Sequence, residues 1–218
     1  MHRRHRRRRT ALLLSAAIAA APLLTACGND ARPGAAAVVG DQRITVSQLE
    51  NRVNEVRAAQ RAVVRDEAQY AQTVARTGSL TRDTLHGMVL DRVLHQAAQD
   101  AGITVSRKEI QEMRSGLEQQ AGGAKELETA WLQQYGVAPK RLEENLRLQL
   151  EAQKLAAELG TDTTRPEFWK ALSEASEKLG VDLNPRYGSW DVQKSSRVDA
   201  KTPWVREVTA AASQQQPT

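Results

Sequence analysis

Amphipathic periodicity, interrupted by glycine and proline, is the feature that most constrains the fold of this chain. Between residues 47 and 180, apolar side chains recur every three or four positions, which places them on one face of an α-helix. The runs begin at capping residues or prolines and end at glycines, as helices of globular proteins do. The pattern therefore predicts a mainly α domain.

The breakers divide this region into six predicted helices. Ser47 and Glu50 form a capping-box sequence at the start of a long first helix, whose periodicity continues as far as Val74. The sixth helix begins at Pro166 and ends at Gly180. The helices between them carry apolar faces over residues 85–97, 110–117, 127–135 and 142–155, with boundaries at Gly102, Ser106, Gly122, Gly136 and Pro139.

Short extended segments lie on either side of the helices. Residues 37–46 predict two strands joined by a turn at Gly40-Asp41, and residues 181–190 predict extended chain with turn-forming residues. A chain of 218 residues has room for one domain or two small ones, and we expect a single domain over residues 37–198. The polar residues 199–218 are expected to form a disordered tail.

The net charge of +5 comes from the amino terminus. Six of the 31 Lys and Arg residues lie in the first nine positions, and residues 1–26 contain no Asp or Glu. Without the amino-terminal residues, the chain has 25 basic and 26 acidic residues, so its remainder is close to neutral. Because nucleic-acid binding needs a basic face, the composition argues against a nucleic-acid partner.

The first 26 residues have the organisation of a signal peptide. A positive segment precedes the apolar residues 11–24, which are too few for a stable transmembrane helix. The tetrad that follows, Leu24-Thr25-Ala26-Cys27, resembles the lipobox of bacterial lipoproteins. This resemblance implies cleavage before Cys27, lipid attachment to its thiol, and anchoring on the extracytoplasmic face of the cell membrane. Residues 27–36 are then expected to form a flexible tether, and the export route, Sec or twin-arginine, stays open.

No pattern in the sequence predicts catalysis, a metal or a cofactor. The single cysteine excludes an internal disulfide and multi-cysteine metal sites. His86 and His95 are nine positions apart on one predicted helix, so they do not occupy adjacent turns of one face as a two-histidine metal site requires. Nucleophile-elbow, phosphate-loop and HExxH motifs are missing from the sequence. Adjacent acids such as Glu143-Glu144 point in different directions and predict a solvated face.

Four segments in this order resemble the SurA and PrsA chaperones. Residues 38–49 (VVGDQRITVSQL) are similar to the strand pair and helix start that open the chaperone domain of that family. Residues 102–110 (GITVSRKEI) are similar to a joint between two of its helices, and residues 134–155 are similar to the helix pair that follows. Residues 184–191 (NPRYGSWD) are similar to a C-terminal signature of SurA-like lipoproteins. The main resemblance spans residues 37–159 and rests on the order and spacing of the motifs.

The resemblance implies a helical domain in which a small β element joins the N- and C-terminal segments. Residues 166–180 would be the helix that returns to the domain, and residues 181–190 would supply a strand beside Val38-Val39. In the family, a parvulin-type prolyl isomerase domain precedes the returning helix. Here six residues separate Leu159 from Pro166, whereas a domain of that kind needs about 100 residues. We therefore expect no isomerase domain.

The same resemblance implies a membrane-anchored chaperone that binds unfolded exported polypeptides without catalysis. Such binding needs an adaptable apolar cleft with a polar rim, which methionine and large aromatic side chains suit. The predicted polypeptide-binding residues are Met88, Met113, Trp131, Tyr135 and Trp169. Two alternatives stay open: an envelope lipoprotein whose helical domain docks one specific partner, and a degenerate prolyl isomerase.

Overall fold

In the computed structural model, residues 34–199 are described, and they form seven α-helices and five short β-strands. The helices are α1 (Val46–Val63), α2 (Glu67–Arg76), α3 (Leu80–Asp100), α4 (Arg107–Ala121), α5 (Ala124–Tyr135), α6 (Leu142–Glu158) and α7 (Pro166–Leu179). The strands are β1 (Ala35–Val39), β2 (Gln42–Thr45), β3 (Asp182–Leu183), β4 (Ser189–Asp191) and β5 (Ser196–Val198). The predicted mainly α fold class is confirmed.

The first helix begins two residues earlier than the Ser47–Glu50 capping box predicts, and that prediction is wrong. Thr45 is the N-cap: its hydroxyl accepts from Gln48 N at 3.1 Å, and Gln48 Oε1 accepts from Thr45 N at 2.9 Å. The reason is that β2 carries the extended backbone as far as Thr45, so the helix starts at the first residue after the strand.

The first helix also ends earlier than the apolar periodicity predicts, since that pattern continues as far as Val74. Val64 has extended backbone angles, φ −99° and ψ 99°, and closes α1. Asp66 then caps a new helix, because its carboxylate accepts a hydrogen bond from Gln69 N at 2.8 Å. A competing N-cap signal thus divides one periodic run into α1 and α2.

Most of the other predicted helix boundaries agree with the structure, except that α6 begins at Leu142 and not at Pro139. Ser106 and Glu109 form the expected capping box at the start of α4. Gly122, Gly136 and Gly180 end α4, α5 and α7 in the left-handed conformation. A short 3₁₀ turn at Pro139–Arg141 leads into α6.

α3 is the centre of the domain. It packs against α1, α6, α7 and β1, and its Leu85, Val89 and Val93 side chains are completely buried. The main core forms around it, and each large apolar side chain buried there stabilises the fold by roughly 1.5–3 kcal/mol. Its larger buried members are Val39, Ile44, Leu49, Leu85, Met88, Val89, Val93, Leu94, Leu148, Leu155, Phe168, Leu172, Leu183 and Tyr187.

Two smaller apolar clusters join the remaining helices to this core. Leu127 of α5 packs with Leu142 and Leu146 of α6, and α4 covers them. Val56 of α1 and Leu80 of α3 form the other cluster with Leu132 and Ala138. These contacts hold α5 and α6 against α1.

β1 is the middle strand of a three-stranded antiparallel sheet in the order β2-β1-β3. Val38 pairs with Asp182, so the chain after α7 returns to the first strand as predicted. Asn184 extends the pairing: its backbone N donates to Ala36 O at 3.0 Å and its side-chain Nδ2 donates to Ala35 O at 3.1 Å. Ala35 and Ala36, which the sequence placed in the tether, are therefore buried in β1.

A small hairpin closes the described chain. β4 pairs with β5 in antiparallel fashion, and Trp190 of β4 donates its Nε1–H to Ser176 Oγ of α7 at 2.5 Å. Gly188 precedes the hairpin with φ +117°, and a Cβ at this position would collide with the Val198 backbone carbonyl. Only glycine fits there without a shift of the backbone.

Gly188→Ala is expected to lower the free energy of unfolding by about 1–3 kcal/mol, because the new methyl group pushes β5 away in a backbone conformation that alanine avoids. Urea unfolding of the full chain, followed by circular dichroism, measures the change. Gly116→Ala is the matched control, since Gly116 lies inside α4 with no neighbouring atom in the path of a Cβ. It should raise stability by up to about 1 kcal/mol. Equal stability of Gly188→Ala and the unmodified protein would contradict the packing described for β5.

Candidate functional site

An open cleft lies between α1, α3 and α6. Its larger part, the polar end, has a volume of about 610 Å³ and is lined mainly by polar and charged side chains. Among the residues that line only this end are Asn51, Glu55, Arg92, His95 and Arg147. The cleft is therefore built chiefly from charged faces of helices.

The smaller part of the cleft, the apolar end, has a volume of about 210 Å³. Apolar side chains dominate one side of it: Val56, Leu80, Tyr135, Val137, Ala138 and Leu148. The two ends share Arg52, Met88, Asp91, Arg141 and Glu144. Because these residues border both ends, the two ends adjoin each other.

Glu55 of α1 is the best-satisfied carboxylate in the cleft. Its side chain is only 10% exposed, and it accepts from Arg141 Nε at 2.8 Å, Arg141 Nη2 at 3.0 Å and Lys140 Nζ at 3.0 Å. The Arg141 hydrogen bonds, with those of Lys140, outweigh burial and lower the pKa of Glu55 to about 2. This fork fixes the start of α6 against α1.

Glu144 of α6 links the same two helices one turn further along. Its Oε1 accepts from Arg52 Nη2 at 2.9 Å, and its Oε2 accepts from Arg141 Nη1 at 3.1 Å. Burial alone would raise the pKa of Glu144, but these two arginines outweigh it and lower the pKa. Both carboxylate oxygens of Glu144 are thus occupied.

Asp91 of α3 faces this network from the third wall of the cleft. Burial is the main reason that its pKa rises to about 7, and the negative charge of Glu144 adds to the effect. Arg52, Arg92 and Arg147 act in the opposite direction without cancelling it. Asp91 is therefore a half-buried carboxyl that carries its charge only part of the time near neutral pH.

A second polar contact crosses the cleft floor near His95. His95 Nδ1 is hydrogen-bonded to Glu151 Oε1 at 3.0 Å, and its Nε2 is hydrogen-bonded to Gln99 Nε2 at 3.0 Å. Arg147 Nη1 also donates to Glu151 Oε1, at 3.3 Å. Glu151 is 4% exposed, so this buried carboxylate joins α3 to α6.

The exposed aromatic group of the cleft is Tyr135, at the end of α5. Its side chain is 53% exposed, and its ring contacts that of Trp131 edge-on with centroids 5.3 Å apart. Trp131 donates its indole N–H to Asn145 Oδ1 at 3.0 Å, which fixes the tryptophan against α6. Trp131 thereby holds Tyr135 at the mouth of the apolar end.

Two of the five predicted polypeptide-binding residues, Met88 and Tyr135, line this cleft. The structure does not bring the other three to it. Met113 and Trp131 pack against the cluster between α4, α5 and α6, and Trp169 lies on α7 with its side chain 37% exposed. The lipobox residues, Leu24, Thr25, Ala26 and Cys27, lie outside the described residues.

Sequence reasoning missed the charged residues that line most of the cleft. Arg52 and Glu55 share one face of α1, and Arg141 and Glu144 have the same spacing at the start of α6. The expectation of a solvated Glu143-Glu144 face is right for the exposed Glu143 and wrong for Glu144. One sequence signal could have indicated these residues: oppositely charged side chains three positions apart on helices that also have an apolar face.

Among residues 34–199, no group of three or more His, Cys, Asp or Glu side chains could hold a metal ion. His86, one of the two helical histidines, instead packs its ring against Trp190 of the C-terminal hairpin, with centroids 5.7 Å apart. Burial lowers the pKa of His86, and the positive charge of Arg197 adds to the effect. This histidine serves the packing of the hairpin.

Glu55→Gln is expected to remove acid sensitivity from the α1–α6 contact. Because the folded protein lowers the pKa of Glu55 from 4.5 to about 2, the pair stabilises the fold above pH 4.5 and loses this effect between pH 4.5 and 2. The free energy of unfolding of the variant should be lower by about 1–2 kcal/mol at pH 7; the value is small because Arg141 and Lys140 are partly exposed to solvent. At pH 3 the difference from the unmodified protein should be smaller.

Urea unfolding at pH 7, 4 and 3 measures this change. Glu112→Gln is the control, because Glu112 forms an exposed pair with Lys108 that contributes less than about 0.5 kcal/mol. A constant difference between Glu55→Gln and the unmodified protein across these pH values would contradict the role given to Glu55.

Comparison with known proteins places the chain in a family. A family model described as the SurA-like N-terminal domain matches residues 1–156, which reaches from the amino terminus into α6. No curated protein and no solved structure matches the chain. The family model covers more than half of the chain, and it includes the three helices that form the cleft. The chain therefore belongs to the SurA-like N-terminal domain family.

Proposed function

We propose that the protein is a membrane-anchored extracytoplasmic chaperone that binds unfolded exported polypeptides in the interhelical cleft. The SurA-like N-terminal domain belongs to a chaperone-type family. The single observation that supports the role of the cleft is the adjacency of its two ends, an open apolar end beside a larger polar end. This combination lets one side chain of a client leave water while the client backbone keeps polar partners.

The apolar end has the properties that a non-specific binder needs. Val56, Leu80 and Leu148 line this end with each side chain less than 10% exposed, and Met88 lies at the junction with the polar end. Methionine is flexible and polarizable, so it adapts to apolar groups of different shape. Tyr135 stands exposed at the mouth, where an incoming apolar side chain covers its ring.

The charged polar end favours release as well as binding. Glu55 and Glu144 are already paired with arginines across the helices, so a client gains little from these groups and is not trapped. A weak, adaptable interaction is what a chaperone needs from its clients. Docking of one specific partner would instead require dedicated complementary contacts, and the exposed, mixed surface of this cleft does not favour that alternative.

The proposal places binding without catalysis in the described domain. The SurA N-terminal domain is the chaperone portion of its family, and α6 is followed by α7 after residues 159–165 alone. We infer that the protein protects its clients from aggregation without isomerising their prolyl bonds.

Tyr135→Ala is expected to weaken suppression of client aggregation several-fold, because it removes the exposed ring at the mouth of the apolar end. The assay uses the full-length protein in lipid nanodiscs with several unrelated unfolded proteins, and light scattering reports aggregation. Trp169→Ala is the matched control, since Trp169 is a comparably exposed aromatic residue on α7, away from the cleft.

Three outcomes would contradict this proposal. The first is that nanodiscs carrying the protein suppress aggregation no better than empty nanodiscs. The second is that Trp169→Ala suppresses aggregation as weakly as Tyr135→Ala. The third is that only one of the unrelated unfolded proteins is protected from aggregation. The last result would support the alternative of a single docked partner.

The anchoring part of the proposal rests on the lipobox-like tetrad at residues 24–27. In the described region no helix combines the length and apolar character needed to span a membrane. Two or three acyl chains at Cys27 would hold the protein stably on a bilayer, since each buried methylene contributes about 0.8 kcal/mol. We propose that the described domain faces the extracytoplasmic side.

Cys27→Ala is expected to abolish labelling by an alkynyl palmitate analogue and to leave the unprocessed precursor, because no thiol remains to carry the lipid. In-gel fluorescence and electrophoretic mobility measure both effects in the producing cells. Thr25→Ala is the control: it keeps a small residue before the cleavage site and should be labelled and processed normally. Labelling of Cys27→Ala at the level of the unmodified protein would overturn the lipid-anchor proposal.

A further inference from the structure

We propose that Asp91 is the subsite that receives a lysine or arginine side chain of a bound polypeptide, with the adjacent client residue in the apolar end of the cleft. This inference rests on the proposed function and deepens it, since it names the client class: segments in which a basic residue neighbours a bulky apolar one.

Asp91 is the half-buried carboxylate of the cleft walls that has no partner, whereas Asp41, which also lacks one, is exposed. Glu55 is bonded to Arg141 and Lys140, and Glu144 is bonded to Arg52 and Arg141. For Asp91, no hydrogen bond or ion pair is formed with any residue between 34 and 199. A half-buried carboxylate without a partner is costly unless a ligand supplies the missing cation.

The arginines around Asp91 are already engaged elsewhere. Arg52 of α1 is bonded to Glu144, and Arg147 of α6 is bonded to Glu151. Arg92, the next residue of α3, points to the Met88 carbonyl at 2.8 Å and to Gln42 Oε1 at 3.3 Å. None of these cations turns to Asp91, which leaves its carboxylate available to the cleft.

The position of Asp91 sets the geometry of the bound segment. Asp91 lines both ends of the cleft, beside Met88 and opposite Leu148. Because successive side chains of an extended chain point to opposite faces, the segment must bend to place a residue adjacent to that cation at the side lined by Val56 and Leu80. One client segment thus fills the two chemically different ends at once.

Binding of a cation to Asp91 also has a pH signature. Burial and the charge of Glu144 raise the pKa of Asp91 to about 7, so part of the population is neutral at that pH. A lysine or arginine favours the ionised form, and a cationic client should bind more tightly at pH 8 than at pH 6. The facing groups Arg52, Glu144 and Arg147 are already paired, and His95, one turn away, is bonded to Glu151, so loss of the pH dependence in an Asp91 variant assigns it to Asp91.

The test uses two fluorescein-labelled peptides that differ in one residue, a Leu-Lys-Leu core and a Leu-norleucine-Leu core, each in a Gly-Ser decapeptide. Fluorescence anisotropy measures their binding to the full-length protein in phosphatidylcholine nanodiscs. At pH 8 the lysine peptide should bind about ten-fold more tightly than the norleucine peptide, as expected for one charge-assisted contact. This preference should shrink at pH 6.

Asp91→Asn should remove the preference for lysine and its pH dependence, so that the two peptides bind with equal affinity at both pH values. The matched control is Asp100→Asn, which makes the same change at the far end of α3, where Asp100 pairs with Lys178 outside the cleft. It should keep both the preference and its pH dependence. Thermal unfolding at pH 8 verifies that Asp91→Asn is folded, and its melting temperature should equal or exceed that of the unmodified protein because an unpaired buried charge is gone.

The outcomes separate this inference from the proposed function. If the unmodified protein binds both peptides equally, or if Asp91→Asn keeps the preference for lysine, the Asp91 subsite is wrong while polypeptide binding stands. If neither peptide binds the unmodified protein, both the subsite and the proposed function fail. The comparison of the two peptides on the unmodified protein needs no variant, so the inference stays testable if Asp91→Asn does not fold.

Discussion

The antiparallel pairing of β1 with β3 is the contact on which the rest of the domain depends. It brings together two segments that are separated by all seven described helices, and Asn184 adds two hydrogen bonds to the carbonyls of Ala35 and Ala36. Since the entropy of closing a long loop must be offset, the burial of β1 and of α7 against α3 supplies the compensation. Both ends of the described segment are thus fixed against α3, which also lines the cleft together with α1 and α6.

Local signals predicted most helix boundaries, and the exceptions show where local signals are ambiguous. The sequence TVSQLE contains two overlapping capping boxes, Thr45 with Gln48 and Ser47 with Glu50. The choice between them depends on where β2 stops pairing with β1, which is a contact distant in sequence. Similarly, apolar periodicity runs through Val64, and the break is decided by the cap that Asp66 offers to the next helix.

The candidate site was less predictable from sequence, because its defining residues are charged. Methionine and aromatic residues direct attention to apolar surfaces, and this reasoning identified Met88 and Tyr135. The charged residues of the same helices resemble an ordinary solvated face until the helices are placed together. Glu144 and Glu143 are adjacent and chemically identical, yet only Glu144 is bonded to two arginines inside the cleft. Such differences arise from tertiary packing and have no local sequence signal.

The connection between α6 and α7 gives the architecture a modular character. Residues 160–165 are mostly exposed, and the helices on both sides of them are held independently on α3. The entropic cost of closing a loop grows only slowly with its length. A folded domain can therefore be inserted into this connection, or removed from it, with little effect on the stability of the helical domain. An additional domain can then be gained or lost at this connection while the helical domain keeps its structure. Proteins that share this helical domain can therefore differ in whether they carry an enzymatic domain.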